Sequence, residues 1–243
     1  MGLPEVVSRE EWLEARRNLL EQEKAHTRAS DALNAERRRL PMVRIEKEYI
    51  FEGPEGKLTL KDLFGASSQL VIQHVMFGPD WEAPCPSCSG AIRLMTPALF
   101  RGLEGRNTTF VLSSRAPYDK IAKAMEEHGW EVPWYSSYGS DFNFDFDVSY
   151  DEAAETPLLY NYREEPWLRG DNAPSEMPGM SFFLRDQDGA AYHTYSSFAR
   201  GVEYAAGPLY PILDLTALGR SEDWEEPKGR AETPLPADPT FGA

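Results

Sequence analysis

The fold is decided by one stretch of the chain, Leu70-Val-Ile-Gln-His-Val-Met-Phe-Gly-Pro-Asp-Trp-Glu-Ala-Pro-Cys-Pro-Ser-Cys88. Its first eight residues are mostly apolar, with β-branched members, and have the length typical of a strand buried on both faces of a sheet. A loop with one glycine and two prolines follows, and a helix is predicted from Cys85 or Pro86 to about Gly102. The stretch therefore predicts a strand, a loop and a helix with both cysteines at the last junction.

The tetrapeptide Cys85-Pro-Ser-Cys88 holds the only two cysteines of the chain. A two-residue spacer at a helix N-terminus brings two sulfurs within bonding reach, and the free amides and dipole there stabilise a thiolate, which is the reactive form. We expect Cys85, the more N-terminal thiol, to be the nucleophile and Cys88 to resolve the mixed disulfide. This pattern favours a thiol–disulfide oxidoreductase that uses no cofactor.

Two acidic residues precede the dithiol, Asp80 and Glu82. Their negative charge opposes thiolate formation, while the helix N-terminus favours it, and the sequence does not decide which effect is larger. Because Glu82 lies three residues before Cys85, we hypothesise that it accepts or relays the proton of the attacking or resolving thiol.

Two alternatives compete with dithiol chemistry. A copper or zinc site is possible in which Cys85 and Cys88 are joined by His74, on the strand before the motif, or by His193, in a later hairpin. A structural zinc site normally has four ligands, and the chain lacks a second Cys pair. In the other alternative the thiols are inert, as buried cysteines often are, and the protein binds a partner without catalysis.

The rest of the chain alternates strand and helix patterns. A hairpin is predicted over Tyr49–Leu60, a buried strand at Phe110–Ser114 and a helix over Asp119–His128. Strands and helices in this alternation imply right-handed crossovers and a parallel sheet core. Met180–Arg185 and Ala190–Ser196 then predict an antiparallel hairpin with a glycine in its turn.

The first 41 residues predict a helical extension. Ser8 and Glu11 have the spacing of a capping box, no Gly or Pro occurs between Ser8 and Leu40, and Pro41 ends the pattern. The apolar stripe is thin, so we expect this helix to pack on the rest of the chain or on a second subunit, and we predict a homodimer. The predicted organisation is an extension (1–41), one domain (42–220) and an acidic, Pro-rich tail (221–243), with a last helix from about Val202 to Leu213.

The segment Asp141-Phe-Asn-Phe-Asp-Phe-Asp147 alternates aromatic and oxygen-bearing residues. Its oxygens match the spacing of a calcium loop, but Phe146 occupies the position where such loops need glycine. We therefore predict an aromatic strand or extended loop that covers the core.

The formal net charge of −15 argues against nucleic acid and anionic membrane surfaces as partners. Two cysteines are too few for a disulfide-stapled secreted scaffold, and no apolar run approaches the length of a membrane span. We expect a cytoplasmic protein whose substrate is a disulfide or a small-molecule oxidant.

The predicted order of elements resembles the thioredoxin-like fold in the longer form used by peroxiredoxins. Trp81 stands four residues before Cys85, where thioredoxins also keep a tryptophan. A closer resemblance, over roughly Val6 to Gly219, is to the bacterial thioredoxin-like family DUF899. It implies an α/β fold with a central mixed sheet flanked by helices and a long N-terminal helix, but no settled activity. The segments that carry it are Phe77-Gly-Pro-Asp-Trp, Cys85-Pro-Ser-Cys88, Pro133-Trp-Tyr-Ser-Ser-Tyr-Gly-Ser-Asp-Phe-Asn and Tyr192-His-Thr-Tyr-Ser.

The chain departs from the better-known relatives at three places, one of which is Pro86-Ser87, where thioredoxins typically have Gly-Pro between the cysteines. Peroxiredoxins place Thr or Ser three residues before the peroxidatic cysteine to orient the peroxide, whereas Glu82 stands here. An ionised carboxylate cannot donate a hydrogen bond, so a peroxidase is not favoured. Pro178 is the only candidate for the proline that faces the dithiol in thioredoxins, and it is displaced by about one residue.

Overall fold

The computed structural model describes residues 3–151, 157–169 and 175–199, together with residues 207, 211, 213–217, 226 and 228. The predicted helix from Val202 to Leu213 lies almost wholly outside these residues, and the tail at 221–243 does so too. None of the described helices is long and apolar enough to cross a membrane. The helices are α1 (Arg9–Arg37), α2 (Pro86–Leu94), α3 (Pro97–Glu104), α4 (Tyr118–His128) and α5 (Phe142–Asp145).

One eight-stranded sheet and a small two-stranded sheet are formed by these described residues. In the large sheet the order is β1-β10-β9-β4-β5-β6-β2-β3, where β4, β5 and β6 run parallel and β9 pairs antiparallel with β4. The expected fold class, a central mixed sheet flanked by helices with a long N-terminal helix, is confirmed. The strands are β1 (Val43–Arg44), β2 (Ile50–Gly53), β3 (Gly56–Thr59), β4 (Gln69–His74), β5 (Thr108–Ser114), β6 (Trp134–Ser136), β7 (Leu159–Tyr160), β8 (Arg163–Glu164), β9 (Gly179–Arg185) and β10 (Ala191–Phe198).

Strand β4 lies in the middle of the sheet and is buried from both sides. Successive side chains of a strand point to opposite faces, so its residues divide between two apolar clusters. Val71 and the residue just after the strand, Val75, pack in the cluster that contains Ile92 of α2 and Ile121 of α4. Leu70 and Ile72 pack in the other cluster, with Phe142 and Phe146 from α5 and the residue after it.

Helix α1 begins with the predicted capping box. Ser8 Oγ accepts a hydrogen bond from the Glu11 amide at 3.2 Å, and the Glu11 carboxylate accepts one from the Ser8 amide at 2.9 Å. Residues up to Pro41 belong to one compact unit of the chain, and residues 42–199 belong to a second. None of the 29 residues of α1 is buried.

Two local predictions were wrong. The helix expected from Cys85 to about Gly102 is two helices, because Pro97 lacks the amide that would continue α2 and restricts the residue before it, Thr96, to extended backbone (φ −112°, ψ 155°). The aromatic segment at 141–147 contains one helical turn, Phe142–Asp145, instead of the predicted strand or extended loop. Its phenylalanines fit an i, i+4 pattern as well as an alternating one.

In that helical turn Phe142 and Phe146 face the same side and pack around Tyr49, at ring distances of 5.2 and 6.1 Å. Phe144 points the other way and lies under the Arg115 guanidinium, 4.3 Å from ring centre to Cζ. A strand would have placed all three rings on one face.

Strand β9 begins at a position that has no room for a side chain. A Cβ on Gly179 would lie 2.8 Å from Val148 Cγ1 and 3.1 Å from Phe198 Cδ1, and both neighbours are buried. We expect Gly179→Ala to lower the free energy of unfolding by about 1–3 kcal/mol, the usual cost of overpacking.

Gly102→Ala is the matched control, because a Cβ there meets nothing within 4 Å and the residue lies inside α3. It should raise the free energy of unfolding by up to about 1 kcal/mol. Chemical denaturation measures both variants, and equal effects would contradict the packing argument.

Candidate functional site

The dithiol lies at the N-terminus of α2, at the carboxyl edge of the parallel strands. Cys85 is the N-cap (φ −50°, ψ 133°) and Pro86 is the first helical residue. Both cysteines are half-buried. Proline is favoured at this helix position because its missing amide would have had no helical partner there. The structure therefore places Cys85 at the helix end, with Cys88 in the first turn.

Backbone hydrogen bonds hold this junction on the sheet. The Cys85 amide donates to the Met76 carbonyl at 2.9 Å, and the Ala116 amide donates to the Phe77 carbonyl at 2.8 Å. Met76 and Phe77 directly continue strand β4 through Val75, and Ala116 follows strand β5. The loop that carries the dithiol is thus tied to the ends of two parallel strands.

Trp81 fixes the loop itself rather than facing solvent. Its ring lies against the bare Cα of Gly78, where an added Cβ would be 2.9 Å from Trp81 Nε1, and it packs on the same core cluster as Cys88. Lys120 from α4 donates from Nζ to the carbonyls of Pro79 and Trp81, at 2.7 and 3.2 Å. Glu82, in contrast, is exposed.

A tyrosine that the sequence analysis did not identify interacts electrostatically with the dithiol. Tyr160, in the small β7–β8 hairpin, donates from its hydroxyl to the Pro178 carbonyl and accepts from the Ala199 amide, each at 2.9 Å. Burial raises the pKa of Tyr160 to about 12, and the neighbouring Cys88 contributes to this pKa shift. The phenol thus stays protonated and joins the backbone just before β9, at Pro178, to the backbone just after β10, at Ala199.

A buried carboxyl occupies the same edge of the sheet. Glu176 is 1% exposed, and its carboxylate accepts from Arg115 Nη1 at 3.1 Å and from Ser149 Oγ at 2.5 Å. Arg115 follows the last residue of β5. Burial raises the pKa of Glu176 from its ordinary value of 4.5 to about 7, and the bonds from Ser149 and Arg115 only partly oppose this rise.

The two candidate histidines lie on the other face of the sheet, within a chain of side-chain hydrogen bonds. His74 Nε2 is 2.9 Å from Ser181 Oγ, Ser181 Oγ is 3.0 Å from Ser196 Oγ, and Ser196 Oγ is 2.8 Å from His193 Nε2. Burial lowers the pKa of His74 to about 3, helped by the charge of His193, and burial also lowers the pKa of His193.

This placement separates the histidines from the cysteines. His74 stacks on Phe142 at 5.5 Å, on the α5 side of the sheet, whereas Cys88 packs in the cluster on the α2 side. Within the residues that the structure describes, no three His, Cys, Asp or Glu side chains are grouped so that they can hold a metal ion. The ligand set predicted for copper or zinc, Cys85 and Cys88 with His74 or His193, is thus not assembled.

The residues that the sequence analysis missed lie in a loop without periodicity. Asn161 and Tyr162 adopt positive φ of 53° and 64°, which closes the β7–β8 turn, and asparagine is the one indication of such a turn. Glu176 lies in an irregular segment between two prolines, and nothing in the sequence distinguishes it from an exposed acid.

The chain matches, over residues 1–234, a family described as "Bacterial protein of unknown function (DUF899)". No curated protein sequence matches it. Among solved structures, a mutant of peroxiredoxin Q from Xanthomonas campestris is similar at 13% identity and a TM-score of 0.42, covering 71% of this chain and 94% of that one. Peroxidoxin BcpB from Mycobacterium tuberculosis is similar at 15% identity and a TM-score of 0.42, covering 71% and 96%.

The raised pKa of Glu176 predicts a pH-dependent stability. An acid whose folded pKa is raised contributes its full stability below the unfolded value of 4.5 and loses it as pH rises through about 7. At about 1.4 kcal/mol per pKa unit, the loss is roughly 3 kcal/mol. Glu176→Gln should therefore flatten the fall in the free energy of unfolding between pH 4.5 and pH 8, measured by urea denaturation.

The matched control is Glu126→Gln, on the exposed side of α4. It should leave the pH dependence of the free energy of unfolding as it is in the parent protein. A Glu176→Gln variant that keeps the parent's slope over this range would show that Glu176 titrates as an ordinary exposed carboxyl.

Proposed function

The chain belongs to the bacterial family of unknown function DUF899, and from the position of its two thiols we propose that it is a thiol–disulfide oxidoreductase. One observation carries this proposal. Two half-buried thiols lie at the N-cap and in the first turn of a helix that begins at the carboxyl edge of parallel strands. Helix N-termini stabilise anions, and the thiolate is the nucleophile of disulfide exchange.

The proposed reaction passes two electrons from the dithiol to a disulfide or small oxidant. With a disulfide substrate, the Cys85 thiolate attacks one sulfur, forms a mixed disulfide and displaces the first thiolate. The Cys88 thiolate then attacks Cys85 Sγ, closes the Cys85–Cys88 disulfide and displaces the second thiolate. The two protons lost by the cysteines are taken up by the two displaced thiolates, and an external dithiol reverses the sequence.

The surroundings of the two thiols support Cys85 as the attacking thiol and Cys88 as the resolving thiol. Cys85 is the N-cap and precedes the helix, which favours it as the thiol that attacks the substrate. Cys88, like Trp81, packs against the apolar cluster on the α2 side of the sheet, and it interacts electrostatically with the Tyr160 phenol. A thiol in this position meets a mixed disulfide on Cys85 more readily than a substrate in solution.

Cysteine variants test the proposal directly. Cys88→Ser should accumulate a mixed disulfide with a small disulfide such as oxidised glutathione, because Cys85 attacks but nothing resolves the product. Cys85→Ser should accumulate at least tenfold less over the same time, and the parent protein should form a reversible internal disulfide. Mass spectrometry of the intact protein measures the adduct in each variant and the internal disulfide in the parent protein.

The same preparations test the copper or zinc alternative. Parent protein purified under reducing conditions should hold less than stoichiometric metal by elemental analysis. Stoichiometric copper or zinc that is lost in Cys85→Ser would overturn simple dithiol exchange.

In the glutathione experiment, equal amounts of mixed disulfide in Cys85→Ser and Cys88→Ser would overturn the assignment of Cys85 as the nucleophile.

A separate prediction concerns Glu82, which we propose as the acceptor or relay of a thiol proton. The side chain is exposed and lies three residues before Cys85. Glu82→Gln should shift the pH profile of Cys85 alkylation by iodoacetamide, because the neutral amide can neither take up a proton nor repel a thiolate.

The control for this experiment is Glu126→Gln, remote in sequence on α4. Both variants should keep the parent's internal disulfide. If Glu82→Gln gives the parent's alkylation profile, Glu82 has no part in the proton transfer.

A further inference from the structure

An apolar stripe of constant spacing runs along the N-terminal helix. Its apolar members are 46–53% exposed, although large apolar side chains are the ones most often buried. Together with His26 at the centre of the stripe, these apolar residues repeat every seven positions. This spacing keeps them on one face of a slightly supercoiled helix. The stripe consists of Trp12, Leu19, His26, Leu33 and, one turn beyond the helix end, Leu40.

Helix α1 contributes no buried side chain to an apolar core. It is about 44 Å long at 1.5 Å per residue, yet none of its residues is buried. Most of the stability of helices in proteins comes from packing an apolar face rather than from propensity. A stripe of this length is therefore suited to a second helix of matching length.

The charge of the helix reverses along its length. Residues 9–23 hold five acidic and three basic side chains, whereas residues 24–39 hold five basic and two acidic ones. The acidic end carries Glu10, Glu11 and Glu14, and the basic end carries Arg37, Arg38 and Arg39. A second copy in the opposite direction would place each acidic half beside a basic half, and the two helix dipoles would also oppose each other.

We propose that the stripe is an interface with a second copy of this chain, in which the two α1 helices pack antiparallel about a two-fold axis at His26. In this register Leu19 faces Leu33 of the second copy, and Trp12 faces Leu40 of the second copy. A uniformly acidic or basic partner would match only one half of the helix, whereas the reversed helix matches both. Closed two-fold symmetry lets the same stripe serve both subunits.

Engineered cysteines test the register, in a Cys85→Ser/Cys88→Ser background that removes the native thiols. His26→Cys should form a covalent dimer under mild oxidation, because the two-fold axis brings position 26 against itself. Leu19→Cys alone should not, whereas a mixture of Leu19→Cys and Leu33→Cys should. A Leu19→Cys homodimer would indicate parallel helices and overturn the antiparallel arrangement.

Charged substitutions test the interface without any cysteine chemistry. Leu19→Glu should weaken dimerisation at least tenfold in sedimentation equilibrium, because it buries an unpaired charge in the stripe. Leu20→Glu is the matched control, since Leu20 is 41% exposed but lies about 100° around the helix from the stripe. A monomeric parent protein, or equal effects of the two substitutions, would overturn the proposal.

Discussion

The burial of strand β4 on both faces is the constraint on which the rest of this structure depends. Its parallel pairing with β5 requires a crossover, and the chain supplies α2 and α3 for it. Because the crossover leaves the sheet at the carboxyl end of β4, the two cysteines have to lie at that edge. The amide of Cys85, bonded to the Met76 carbonyl, then holds the helix start against the strand.

The same strand separates two chemical environments. The α2 side of the sheet holds the dithiol, Trp81 and an apolar cluster, and the α5 side holds His74 in hydrogen bonds that continue through two serines to His193. Alternation along β4 causes this division, since neighbouring residues point to opposite faces. His74, which is close to the cysteines in sequence, is thereby kept out of reach of them.

Buried polar groups at the carboxyl edge join segments that are far apart in the chain. Glu176 links the segment before β9 to Arg115 after β5 and to Ser149 after α5. Tyr160 joins the β7–β8 hairpin to the Pro178 and Ala199 backbone. Buried polar atoms need such partners, so these bonds define one arrangement of the loops around the dithiol.

Local patterns predicted the elements that depend on neighbours in sequence. The capping box of Ser8 and Glu11, the parallel core and the hairpin of β9 and β10 all follow from spacing, turn residues and apolar periodicity. The prediction for the aromatic segment at 141–147 was wrong because the spacing of Phe142 and Phe146 fits both the alternation of a strand and the i, i+4 pattern of a helix. Packing around Tyr49 selects the helical one, and that contact spans more than ninety residues.

By itself the sequence determined that both thiols lie at a strand-to-helix junction, because a CxxC motif between a buried strand and a helix start is a local pattern. Only the tertiary structure decided that His74 faces away from that junction and that Tyr160 and Glu176 lie at its edge. These placements depend on strand register and on contacts between distant segments. The physical reason is that a side chain's face, and its distance from a partner far along the chain, are set by the packing of the whole sheet.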